Sequence, residues 1–106
     1  MNERQYQAQL IGKIKDLLPG SYVTKNDPGM VQGVPDILIL HRDKWAMLEI
    51  KASPDAPEQP NQAHYVNVFN EMSFASFINP DNEEAVLNAL QHSFGLVGES
   101  RIPQSE

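Results

Sequence analysis

Four consecutive aliphatic residues, Ile37-Leu38-Ile39-Leu40, restrict the folds open to this chain more than any other stretch in it. A solid apolar run this short reads as a strand covered on both faces, because a strand with one wet face would alternate. We place that strand over Pro35–His41. The polar quartet His41-Arg42-Asp43-Lys44 follows as a hairpin turn, and Trp45–Lys51 is the expected partner strand. So short a link cannot carry a crossover, so the two strands must pair antiparallel. A doubly covered hairpin needs helices on both sides of its sheet, and the rest of the chain has to supply them.

It supplies three. Residues 3–18 have helical spacing, with Leu10, Ile14 and Leu17 on one stripe and Lys13, Lys15 and Asp16 off it. Pro19-Gly20 ends that helix. Ser21–Lys25 is a short strand, and Asn26-Asp27-Pro28-Gly29 is turn chemistry. Pro54, Pro57 and Pro60 make residues 52–60 an irregular loop, after which Asn61 is placed to cap a helix running to about Asn70. Phe74–Ile78 is a fourth strand. Asn79-Pro80-Asp81 opens a last helix, with Glu83 and Glu84 in its first turn, and Phe94-Gly95 closes it. The order αβββαβα predicts an α/β fold, a mixed sheet flanked by helices. Residues 1–95 are expected to form one domain, and 96–106 a flexible C-terminal tail.

Composition narrows the chemistry. The chain has no cysteine, which excludes disulfides, zinc–thiolate sites and cysteine nucleophiles. No stretch approaches the roughly 20 apolar residues of a membrane span, and Met1-Asn2-Glu3-Arg4-Gln5 is too polar for a secretory leader. A cytoplasmic setting is therefore expected, with no membrane partner. The net charge of −6 is unevenly spread: residues 1–51 hold seven of the eight Lys/Arg. Tight non-specific binding to duplex nucleic acid, which rests on neutralising phosphates, does not suit this balance.

The hairpin also gathers reactive side chains. Alternation puts Glu49 and Lys51 on one face of their strand, with Cα atoms roughly 6–7 Å apart. Leu48 and Ile50 face the other way and can anchor the strand in a core. Antiparallel pairing brings Asp36, at the start of the first strand, beside Glu49 and Lys51. Two converging carboxylates suit a hard cation such as Mg²⁺ or Mn²⁺. Water bound to such a cation is acidified and can attack phosphorus, and a neighbouring ammonium stabilises the charge that builds there. Taken one at a time, an Asp after a Pro is an ordinary turn residue, and Glu-x-Lys is an ordinary surface ion pair. The meeting of all three on paired strands points to metal-assisted hydrolysis of a phosphodiester.

The set Gly33-Val34-Pro35-Asp36, then Leu48-Glu49-Ile50-Lys51, then Gln62 at the start of a helix resembles the PD-(D/E)xK nuclease superfamily. In particular it resembles the virus-type replication-repair nuclease (VRR-NUC) branch and its small phage members. The resemblance spans about residues 3–94 and implies a restriction-endonuclease-like core. It also implies that Asp36 and Glu49 are metal ligands, that Ile50 offers its backbone carbonyl to the metal, and that Lys51 is the catalytic lysine. Gln62, which shares a stripe with Val66 and Phe69, would touch the site or the substrate backbone. Glu3, in line with Leu10, Ile14 and Leu17, would add a further acid to the metal site, with Gln7 as a weaker candidate.

The implied activity is Mg²⁺- or Mn²⁺-dependent endonucleolytic cleavage of DNA. Small members of the family often act as homodimers on branched DNA such as Holliday junctions. Two other readings stand beside this one: an acidic binding module on a nuclease fold, and a nuclease subunit that works only within a larger replication or repair complex. His41, His64 and His92 lack metal-ligand spacing and read as surface or turn residues. Trp45 and Tyr65 read as packing. Lys25, Arg42 and Lys44 could meet phosphates, and Met30 and Val31 belong to a loop that could face substrate or a second subunit.

Overall fold

The structure, a computed structural model, describes residues 1–96. Its elements follow the expected order: α1 Glu3–Leu17, β1 Tyr22–Lys25, β2 Ile37–His41, β3 Lys44–Ile50, α2 Gln62–Met72, β4 Phe74–Ile78 and α3 Glu83–Ser93. Residues 97–106, which hold nearly all of the expected tail, lie outside the described residues. Leu96 packs against the core.

The sheet runs β1-β2-β3-β4. Its first three strands form an antiparallel meander, and β4 joins parallel to β3. That parallel step requires a crossover, which loop 51–61 and α2 provide. The hairpin turn is tight because Arg42 takes a left-handed conformation (φ 59), so that His41 pairs with Lys44.

The two faces of the sheet are unequal. One carries Ile37, Ile39, Ala46, Leu48, Ile50 and Ile78, all fully buried beneath α1 and α3. From α1 come Tyr6, Leu10, Ile14 and Leu18, and from α3 Val86, Leu87 and Leu90. The α1 stripe thus differs from the expected one. It steps by four through Tyr6 and Leu18, and leaves Leu17 exposed at 36%. Asn2 caps this helix reciprocally: its Oδ1 accepts from the Gln5 amide at 2.8 Å, and Gln5 Oε1 accepts from the Asn2 amide at 2.9 Å.

Among the described residues, the other face is covered mainly over β3 and β4, where α2 sets Val66 and the partly buried Phe69 against it. The expectation of a β2 strand covered on both faces is corrected here. Leu38 is half-buried and Leu40 is 41% exposed, because α2 does not extend over the β1–β2 side. His41, expected at the surface, is also corrected: its outward neighbours alternate away, and it is buried with its ring stacked on Phe94 at 6.0 Å. His64 and His92 are exposed, as expected. Trp45 meets Phe69 edge-on, and Tyr65 stacks on the same ring.

A brace links α1 to the start of α3. Tyr6 donates from its hydroxyl to Glu83 Oε1 at 2.9 Å, and Lys13 reaches Glu83 Oε2 at 2.5 Å. Burial works against the Glu83 charge, yet the Lys13 and Tyr6 hydrogen bonds prevail and hold its carboxyl below the usual range. Among the described residues, no helix is long and apolar enough to cross a membrane.

Candidate active site

The β2–β3 register pairs Ile37 with Leu48. One residue before Ile37 and one after Leu48 therefore lie side by side on the face that α2 partly covers: these are Asp36 and Glu49. Asp36 is locked in place by its surroundings. Pro35 before it is fully buried, the Asn26 side chain donates to the Pro35 carbonyl at 2.9 Å, and the Asn26 amide donates to the Asp36 carbonyl at 2.9 Å. Its own Oδ2 accepts from the Ile50 amide at 2.8 Å.

Glu49 is 2% exposed. Its Oε2 accepts from Gln62 Nε2 at 2.7 Å, while its Oε1 is buried with no hydrogen-bond partner among the described residues. Burial and the neighbouring Asp36 carboxylate push the Glu49 carboxyl up to about 8, against the opposing pull of Lys51. Glu3 adds the smallest of these influences.

Lys51 is 8% exposed. Its backbone amide extends the ladder to β4 by donating to the Ile78 carbonyl at 2.9 Å. Its ammonium donates to Gln62 Oε1 at 2.8 Å and to the Pro57 carbonyl at 3.0 Å, and lies 3.8 Å from Glu49 Oε2. Gln62 therefore joins the acid to the amine through the two ends of one amide. The same Oε1 also accepts from the Gln59 amide at 2.7 Å, which fixes the rotamer. Asn61 does not cap α2 as expected. It sits in a left-handed conformation (φ 71) with no side-chain capping bond.

The remaining candidates are placed as follows. The Ile50 side chain is fully buried in the core, so only its backbone can serve the site. Glu3 is exposed at the first turn of α1, and Gln7 is half-buried one turn later. Lys25, Arg42 and Lys44 are exposed. Met30 and Val31 line a shallow cavity of about 170 Å³ with Asn26, Asp27 and Val34.

Among the described residues, no three or more His, Cys, Asp or Glu side chains come close enough to hold a metal together. The two acids that the structure brings together are Asp36 and Glu49. Such a sparse set fits Mg²⁺, which retains several waters and takes only one or two carboxylates. Glu49 Oε1 has no donor among the described residues, and the facing Asp36 carboxyl can meet it only through the Glu49 proton; a cation between the two acids would satisfy both, and this favours a cation here.

Reading residue types along the chain missed three supports. The Pro57 carbonyl and the Gln59 amide are backbone groups, invisible in residue identity, although the proline density of the loop signals a stiff backbone able to present them. Asn26 read as a turn former, yet it holds Pro35 and Asp36 in place.

A solved structure described as a VRR_NUC domain protein is similar to this chain, with a TM-score of 0.63 and 17% identity over 91% of this chain and 90% of that one. No protein-family profile and no curated protein sequence matches. The chain has the VRR-NUC fold, with its mixed four-stranded sheet and αβββαβα order.

Proposed function

We propose that this chain, built on the VRR-NUC fold, is a divalent-cation-dependent nuclease that hydrolyses phosphodiester bonds in DNA. One observation carries the proposal: Asp36 and Glu49 converge with a buried Glu49 oxygen unsatisfied, and Lys51 stands beside them. Asp36, Glu49 and the Ile50 carbonyl would hold Mg²⁺ or Mn²⁺. A cation bound there supplies an acidified water and offsets phosphate charge. Lys51 places a positive charge next to the reacting phosphate, where it stabilises charge developing in the transition state. Gln62 keeps the Lys51 ammonium and the Glu49 carboxylate at a fixed separation. Glu3, at the rim, adds negative potential that favours a cation.

The substrate we propose is branched DNA, such as a four-way junction, cut by a homodimer. A chain with a net charge of −6 is poorly equipped to hold a long duplex by its phosphates. A two-fold dimer suits a junction of two-fold shape. The test is a panel of single-stranded, duplex, flap and four-way substrates with Mg²⁺, Mn²⁺ or chelator. Cleavage requires the cation and vanishes in Asp36→Ala and Lys51→Ala; equal cutting by these variants refutes the assignment. Sedimentation of the protein with and without junction DNA tests the dimer.

The acidity of the chain also favours a second reading, a binding module that keeps the fold without the reaction. Calorimetric titration with Mn²⁺ separates the two. Binding that disappears in Asp36→Asn supports the enzyme, and absence of binding supports the module.

A further inference from the structure

Two loops that bear the site come together. The first, residues 31–36, leads into Asp36. The second, residues 57–62, brings the Pro57 carbonyl to the Lys51 ammonium and Gln62, held by the Gln59 amide, to both Lys51 and the Glu49 carboxylate. They meet at Gly33, which has a positive φ of +93. A Cβ on Gly33 would lie 2.6 Å from Asn61 Cβ, 2.8 Å from the Asn61 carbonyl carbon and 2.8 Å from the Pro60 carbonyl oxygen. These contacts are mostly with backbone, so relief requires moving the start of α2 and not turning a side chain aside. Asn61, the residue met, holds a left-handed conformation immediately before Gln62.

Resting on the nuclease reading above, we infer that Gly33 is a positioning residue: its missing side chain sets the distance between the loop bearing Asp36 and the helix start bearing Gln62, and so aligns the two halves of the site. A methyl at this position pushes Pro60–Asn61 outward. Gln62 then loses its grip on Glu49 and Lys51 while Asp36 stays fixed by Asn26 and Ile50. Displacements of about 1 Å at such groups cost on the order of a hundredfold in rate. Binding of DNA depends on a wider surface and changes little.

Gly20 provides an internal control. It has a similar positive φ of +86, but an added Cβ there meets nothing within 4 Å. Gly20→Ala thus imposes the same kind of backbone strain without a collision. The experiment compares wild type, Gly20→Ala, Gly33→Ala and Gly33→Ala/Asn61→Gly by two readouts. One is the side-chain amide NMR signals of Gln62 in metal-free protein, which need no activity. The other is kcat and KM for DNA cleavage with Mn²⁺.

In Gly33→Ala the Gln62 amide loses its hydrogen-bonded shift and kcat falls about a hundredfold, with KM within about twofold. Gly20→Ala keeps both. The double variant, relieved of the 2.6 Å contact but not of the two at 2.8 Å, lies between wild type and Gly33→Ala. If Gly33→Ala does not fold, the double variant carries the test. Wild-type Gln62 signals in whichever Gly33 variants fold, or an equal loss in Gly20→Ala, overturn the inference. Absence of cleavage by wild type overturns the nuclease reading instead and leaves the Gln62 comparison standing.

Discussion

Replacing Glu49 with Gln removes one ionisation from the most deeply buried acid of the site and keeps an oxygen that can accept from Gln62. In the native chain this carboxyl holds its proton up to about pH 8, whereas unfolded it releases it near 4.5. Between those values the native state binds more protons than the unfolded state. The contribution to stability is therefore complete below about pH 4.5 and is lost as pH rises through 8. At about 1.4 kcal/mol per pH unit the ceiling on that loss is roughly 5 kcal/mol. Local relaxation and water reaching the ionised carboxyl absorb part of that cost, and we expect roughly 2–3 kcal/mol.

Urea unfolding followed through the fluorescence of Trp45, the single tryptophan, measures it. In chelator, the stability of wild type relative to Glu49→Gln falls by that amount between about pH 4.5 and pH 9. Adding Mg²⁺ or Mn²⁺ reverses the fall in wild type, since a cation favours the ionised Glu49 carboxylate and binds only the folded chain. Glu49→Gln gains little from the metal. A stability difference that is flat with pH, or a variant with the same slope as wild type, would refute the account of this buried acid pair.

Other perturbations reach different parts of the molecule. Tyr6→Phe removes the hydroxyl that donates to Glu83 and costs about 1 kcal/mol in urea unfolding at pH 7. Glu83→Gln weakens the same brace, and because the Glu83 carboxyl is held low, its contribution is present near neutrality and disappears on acidification through the carboxyl range. Leu10→Ala, at a fully buried α1 position, costs about 2–5 kcal/mol by the same assay. Glu3→Gln lowers Mn²⁺ affinity in calorimetry without abolishing cleavage, as befits an exposed acid; complete loss would assign Glu3 a direct ligand role.

How far the sequence predicts such a structure depends on the range of the interaction. The β2–β3 hairpin and the grouping of Asp36, Glu49 and Lys51 follow from alternation and one short turn, both local rules, and the structure has that pairing. The α1 stripe was harder. Leu17 and Leu18 are equivalent by hydropathy, and only the position of the sheet decides that Leu18 goes in. His41 looked like a turn residue because its partner, Phe94, is distant in the chain. Burial on both faces of β2 was inferred from four aliphatic letters, yet where α2 lies over the sheet is a tertiary property that those letters do not encode. The support of Lys51 was the least legible part, since the Pro57 carbonyl that it meets and the Gln59 amide that fixes Gln62 are main-chain groups, which residue identity does not single out.

The alternation along β3 has an evolutionary and an engineering corollary. The side chains of Leu48 and Ile50 answer to the packing beneath α1 and α3, while those of Glu49 and Lys51, interleaved between them, answer to the site. Selection can therefore edit odd and even letters of one strand almost independently. A library that varies positions 48 and 50 among aliphatics would retune thermal tolerance with the site's composition intact, and substitutions at 49 and 51 change the site without touching the apolar core beneath α1 and α3.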